Sequence, residues 1–98
     1  MFVNIIRTYR DVVAVCDSEL LGKKFYEDKF QLDVKESFYK GEKKSFEEVV
    51  KIMKDMKMED ATFNIVGEKS IKAGIKAGII NQKSVGKINE IPFALVLG

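Results

Sequence analysis

Histidine is absent from this 98-residue chain, and with it go the commonest general base and the commonest nitrogen ligand for metal ions. A single cysteine, Cys16, cannot close an internal disulfide, so the chain is not a disulfide scaffold and suits a reducing compartment. There is no tryptophan and one proline, Pro92. No apolar run approaches the ~18–20 residues that cross a bilayer, and the first residues carry no basic segment leading into an apolar core and a small-residue cleavage site. The expected location is cytoplasmic, without a membrane partner.

What is present reads as globular. Apolar residues make up 46% and charged residues 33%, a balance that can fill a core and still solvate a surface. The length suits one core, so residues 1–98 are read as a single domain. The net charge is +2, a mildly basic field that makes no strong demand for a polyanionic partner.

Periodicity gives the elements. Phe2 to Tyr9 is rich in β-branched and aromatic residues, and Asp11 to Asp17 is an apolar run. Together they predict an opening β-hairpin with Arg10 and Asp11 at its turn. Both faces of the second strand are apolar, which places it centrally in a sheet. Asp17 and Ser18 precede Glu19–Glu27, read as a short helix weakened by Gly22. Phe30, Leu32 and Val34 alternate with polar residues as in a strand, and Ser37 to Lys44 reads as a loop. Ser45 and Glu48 form a capping box ahead of Phe46, Val49, Val50, Met53 and Met56, which share one helical stripe. The run after Asp60 predicts a strand. Gly67 then opens a third helix, on which Ile71, Gly74 and Ile75 share a face and which Gly78 caps. Val85–Ile88 and Ile91–Leu97 read as strands around Asn89 and Glu90. The mixture of a hairpin with helical crossovers predicts an α+β protein: a two-layer α/β sandwich, its mixed sheet packed with about three helices.

Candidate chemistry is sparse, and each candidate has a plainer reading beside it. Cys16 next to Asp17 resembles a nucleophile beside an acid, but a thiolate needs a base or a positive field, and a core cysteine is the simpler account. The acids are scattered or alternate with lysines, so neither a metal nor another cofactor is expected. Met53 and Met56 lie on the core stripe, with an oligomer contact as the alternative, and a homo-oligomer stays open. Phe38, Tyr39 and Lys40 combine aromatics with a cation, as single-strand binders do, while capping the core is the plainer role for Phe38. Gly67 and Glu68 stand at a strand-to-helix turn whose free N–H groups could meet an anion. That turn is neither a P-loop nor a dinucleotide fingerprint. Lys69, Lys72 and Lys76 form a basic stripe opposite Ile71 and Ile75.

Two function classes follow. The first is a non-enzymatic binding module for RNA or a ribonucleoprotein, using Gly67, Glu68, Lys69, Lys72 and Lys76. The second is a small enzyme or anionic-ligand-binding domain with a pocket near Cys16, Asp17, Asn64 and the Gly67 turn. No residue is assigned a catalytic role.

The ordered segments Ala14-Val15-Cys16-Asp17, Glu19-Leu20-Leu21-Gly22-Lys23, Phe38-Tyr39-Lys40-Gly41-Glu42, Ala61-Thr62, Asn64-Ile65-Val66-Gly67-Glu68 and Ile91-Pro92 span nearly the whole chain. In that order they resemble a family of small archaeal proteins known as domain of unknown function 424. The resemblance implies an archaeal, cytoplasmic α+β protein and carries no activity with it. Where that family usually shows proline, histidine and alanine near its end, this chain has Pro92-Phe93-Ala94, so no role of that histidine transfers.

Overall fold

Alternating apolar residues in Phe2–Ile6 (β1) and Val12–Cys16 (β2) pair as an antiparallel hairpin, with Val3 opposite Val15 and Ile5 opposite Val13. The computed structural model describes residues 1–98. Beyond β2 come a single 3-10 turn at Ser18–Leu20, then Lys24–Glu27 (β3), Phe30–Asp33 (β4), Glu36–Tyr39 (α1) and Glu42–Lys43 (β5). The second half holds Phe46–Met58 (α2), Thr62–Val66 (β6), Glu68–Lys76 (α3), a 3-10 turn at Gln82–Ser84, Gly86–Ile88 (β7) and Ile91–Val96 (β8).

Six strands form one mixed sheet in the order β5-β1-β2-β6-β8-β7, and β3 with β4 makes a separate hairpin. Only β2 and β6 run parallel, and every other pair is antiparallel. The expected α+β class, mixed sheet and central β2 are all present.

Each strand sends alternate side chains to opposite faces. One set, Val3, Val13, Val15, Phe63, Ile65 and Ala94, meets α2 and α3 in the main core. From α2 come Val49, Val50, Met53 and Met56, all buried, along the stripe that the capping box introduces. The Ser45 hydroxyl accepts the Glu48 N–H at 3.2 Å while the Glu48 carboxylate accepts the Ser45 N–H at 2.9 Å. The third helix ends in a Schellman motif: Gly78, at φ +78°, donates to the Ile75 carbonyl, and Ile79 donates to the Gly74 carbonyl. Glycine suits that left-handed position because it has no Cβ to clash.

The opposite face is only half covered. There Ala14, Cys16 and Val66 pack beneath Leu20, Val34 and Tyr39, with Phe25, Leu32, Phe38 and Phe93 around them. This small second core is roofed by the β3–β4 hairpin and the one-turn α1.

Two expectations need correction here. The segment read as a helix over Glu19–Glu27 is a 3-10 turn followed by β3. Phe25 faces Leu32 across the hairpin, and their joint burial against the sheet outweighs local helix propensity. Asp28, left-handed at φ +53°, supplies the turn. The segment read as a loop over Ser37–Lys44 holds most of α1 and all of β5, both too short to show a period. Pro92 lies in β8, an interior strand rather than an edge, near the strand's start and beyond the last rung that β8 shares with β6.

Candidate functional site

Asp17 is the residue on which the centre of the molecule turns. It leaves the end of β2 and is only 4% exposed. Its carboxylate accepts the Lys69 N–H at 3.1 Å, the Ser70 N–H at 2.8 Å and the Ser70 hydroxyl at 2.7 Å. A side chain about fifty positions away in sequence thereby caps α3. Its negative charge opposes the positive end of the helix dipole, and it satisfies amides that would otherwise be orphaned.

Gly67 makes that approach possible. Its backbone, at φ +109°, lies where L side chains rarely go, and a Cβ there would stand 2.6 Å from each Asp17 carboxylate oxygen. Its own N–H is donated to the Pro92 carbonyl at 2.9 Å. The sequence reading gave the N–H groups of Gly67 and Glu68 to an external anion. In the folded chain Gly67 donates to Pro92, and the next two amides of the turn after Glu68 bind Asp17. The carboxylate that the helix start requires is built in.

The remaining members of the suggested pocket separate. Cys16 is the last residue of β2 and Asp17 continues it in extended conformation, so the two side chains point to opposite faces. Cys16 lies in the second core with no exposed surface, where burial first, and the Asp17 charge second, push its thiol up to about 11. Asn64 pairs in register with Ala14, two rungs away from the pair Cys16 and Val66. The depression beside Asp17, about 180 Å³, is lined by Asp17, Glu19, Glu68 and Glu90 against the single cation Lys69. Four carboxylates around one ammonium repel an anion. No group of His, Cys, Asp or Glu side chains is arranged to hold a metal ion. Phe38 and Tyr39 pack edge to face, 5.0 Å between centroids, with Tyr39 buried rather than free to stack on a base.

The lysine stripe stays together. Lys69, Lys72 and Lys76 are all exposed on α3, and none is among the ion-paired residues, which are Arg7–Asp11, Lys44–Glu42 and Lys51–Asp55. Lys76 lies with its ammonium 5.5 Å from the centre of the Phe46 ring, a cation–π distance. Ile71 is buried as the periodicity predicts, but Ile75 is 39% exposed because the sheet beneath it ends at the short strand β7. Between α3 and β7 runs an open groove of about 410 Å³, lined by Lys72 and Lys87, by the carboxylate Glu68, and by Ile71, Ile75, Val85 and Pro92.

Sequence reading missed Ser70 and Lys87. Ser70 follows the turn by three positions and has no periodic signature. Lys87 was accessible in principle, because strand alternation from the Asn89-Glu90 turn puts it on the face opposite Ile88.

Comparison with known proteins agrees on architecture and adds no chemistry. The family model described as "Protein of unknown function (DUF424)" matches residues 6–98. The crystal structure of an uncharacterized conserved protein from Methanopyrus kandleri superposes with a TM-score of 0.83 at 24% identity, over 98% of this chain and 90% of that one. That likeness shows the fold. No curated protein matches the chain. No helix is long and apolar enough to cross a membrane.

Proposed function

The chain belongs to the DUF424 family of proteins of unknown function, and from that premise we propose that it is a non-enzymatic binding module which meets RNA or a ribonucleoprotein through the lysines of α3. The observation that carries the reading is the set Lys69, Lys72 and Lys76, exposed on one side of one helix and free of ion-pair partners. Unpaired ammonium groups held at helical spacing can neutralise successive phosphates and release their counterions. Phosphate contact is assigned to these side chains, since Asp17 engages the Lys69 and Ser70 amides and Pro92 the Gly67 amide at the start of α3.

The competing reading, a small enzyme or anionic-ligand domain around Cys16, Asp17 and Gly67, draws less support. Its thiol is buried, its carboxylate is occupied and the adjacent depression is acidic. A cytoplasmic setting accords with an unpaired, reduced cysteine.

The test is titration of labelled single-stranded RNA at several salt concentrations, with the native chain and with Lys69→Gln/Lys72→Gln/Lys76→Gln. The expected result is weaker binding across RNA sequences and a flatter salt dependence, each lost phosphate contact removing about 0.7–0.9 from the log–log slope. Equal affinity and equal slope for the two proteins would remove the reading.

A further inference from the structure

We propose that the groove between α3 and the open edge of β7 is a docking site for an extended, acidic segment of a partner protein, which adds to the sheet as a seventh strand. The first ground is backbone geometry. The strand β7 pairs only with β8, through the rungs Gly86–Phe93, Lys87–Pro92 and Ile88–Ile91, and β3 and β4, which also approach it, share no backbone hydrogen bond with it. Pro92 has no N–H, so its rung with Lys87 is not a hydrogen-bonded one, and in an antiparallel ladder such residues turn their backbone groups outward. The N–H and C=O of Lys87 therefore face the free edge, where another backbone can meet them.

The second ground is the chemistry beside that edge. Lys87 projects to the helix side, where it and Lys72 border an aliphatic floor of Ile71, Ile75 and Val85, and with Glu68 as the one carboxylate of the lining the groove keeps an excess of positive charge. Neither lysine has an ion-pair partner, and Ile75 remains 39% exposed on a helix that otherwise buries its apolar face. The floor offers no aromatic ring on which a base could stack, so a nucleic acid gains little from it. A strand carrying both aliphatic and acidic side chains on one face satisfies floor and rim together. A second copy of β7 would instead set Lys87 close to its own like charge, which disfavours self-pairing. This inference shares Lys72 with the polyanion reading and otherwise stands on the β7 edge.

The experiment uses a fluorescein-labelled decapeptide with threonine at every second position and isoleucine and glutamate alternating between them. Anisotropy titration is expected to show saturable binding that weakens about tenfold in Lys72→Glu/Lys87→Glu, as attraction turns to repulsion at both rims. Two further peptides, N-methylated on one or the other alternate set of amides, address the backbone. Methylation of the set facing β7 abolishes binding, and methylation of the other set leaves it within about twofold, because only one set lies in the ladder. Equal effects of the two methylation patterns, or no binding of the parent peptide, would overturn the proposal. Labelled RNA titrated in parallel separates the two ideas. RNA binding without peptide binding removes this inference and keeps the lysine-stripe reading, and peptide binding without RNA binding does the reverse. Circular dichroism of the charge-reversed variant checks that both exposed substitutions leave the fold intact.

Discussion

Replacing Asp17 by alanine removes the acceptor of three hydrogen bonds at the start of α3. Loss of an N-cap side chain costs about 0.5–2 kcal/mol, and stranding a buried donor adds about 1–3 kcal/mol. Ser70 has no exposed surface, so its hydroxyl and amide cannot recover the loss from water. Lys69 is exposed and borders the shallow depression, so its amide can. The expected destabilisation is thus about 3 kcal/mol, a large share of the ~5–15 kcal/mol that holds a typical domain together. Asp17→Asn keeps one oxygen for Ser70 and turns an amide nitrogen toward the Lys69 N–H, so it should cost about 1.5 kcal/mol. Urea unfolding followed by circular dichroism gives both numbers from the midpoints, provided that the slope of the transition is unchanged. Amide exchange should quicken first at Lys69 and Ser70. The reasoning fails if Asp17→Ala lies within about 0.5 kcal/mol of the native chain, or if asparagine is as damaging as alanine.

Gly67→Ala should destabilise by about 2–4 kcal/mol, combining an unfavourable positive φ with a clash against the Asp17 carboxylate. In an Asp17→Gly background only the backbone strain remains, so a double-mutant cycle should show coupling of more than about 1 kcal/mol, and strict additivity would contradict the contact. Alkaline stability follows from the second core. Burial raises the Cys16 thiol from 9.0 to about 11 and the Tyr39 hydroxyl from 10.0 to about 12. Since both folded values lie above the unfolded ones, the stability they confer is complete below pH 9 and drains away between pH 9 and 12. Cys16 alone should account for about 2 kcal/mol of loss by pH 11 and Tyr39 for about 1 kcal/mol more, so Cys16→Ala should remove more than half of the decline between pH 9 and 11 and leave the part due to Tyr39. At pH 8 a thiol reagent should label the folded chain far more slowly than the urea-unfolded chain, and equal rates would place Cys16 at the surface.

Local rules acting over a turn or two of chain were enough to determine several elements from sequence alone. The Ser45–Glu48 box and the stripe ending at Met56 specify α2, because cap and period reinforce each other within fourteen residues or fewer. Asn89 and Glu90 specify the last hairpin, and both adopt the left-handed conformation that a two-residue turn requires. Gly78 closes α3 for an equally local reason. Tertiary structure decided what depends on partners distant in sequence. Lys24–Glu27 became a strand because Phe25 and Leu32 could be buried together against the sheet, a gain that no property of Glu19–Glu27 reveals. Ile75 stayed exposed because the sheet runs out beneath it. The start of α3 read as open to an anion because glycine and a helix onset are local signals. Asp17 fills it from the end of β2, brought there by the parallel pairing of β2 with β6 that sets Cys16 beside Val66. A cap whose donors lie on α3 and whose acceptor follows β2 has no sequence spacing to recognise, since its geometry exists only once the sheet has assembled.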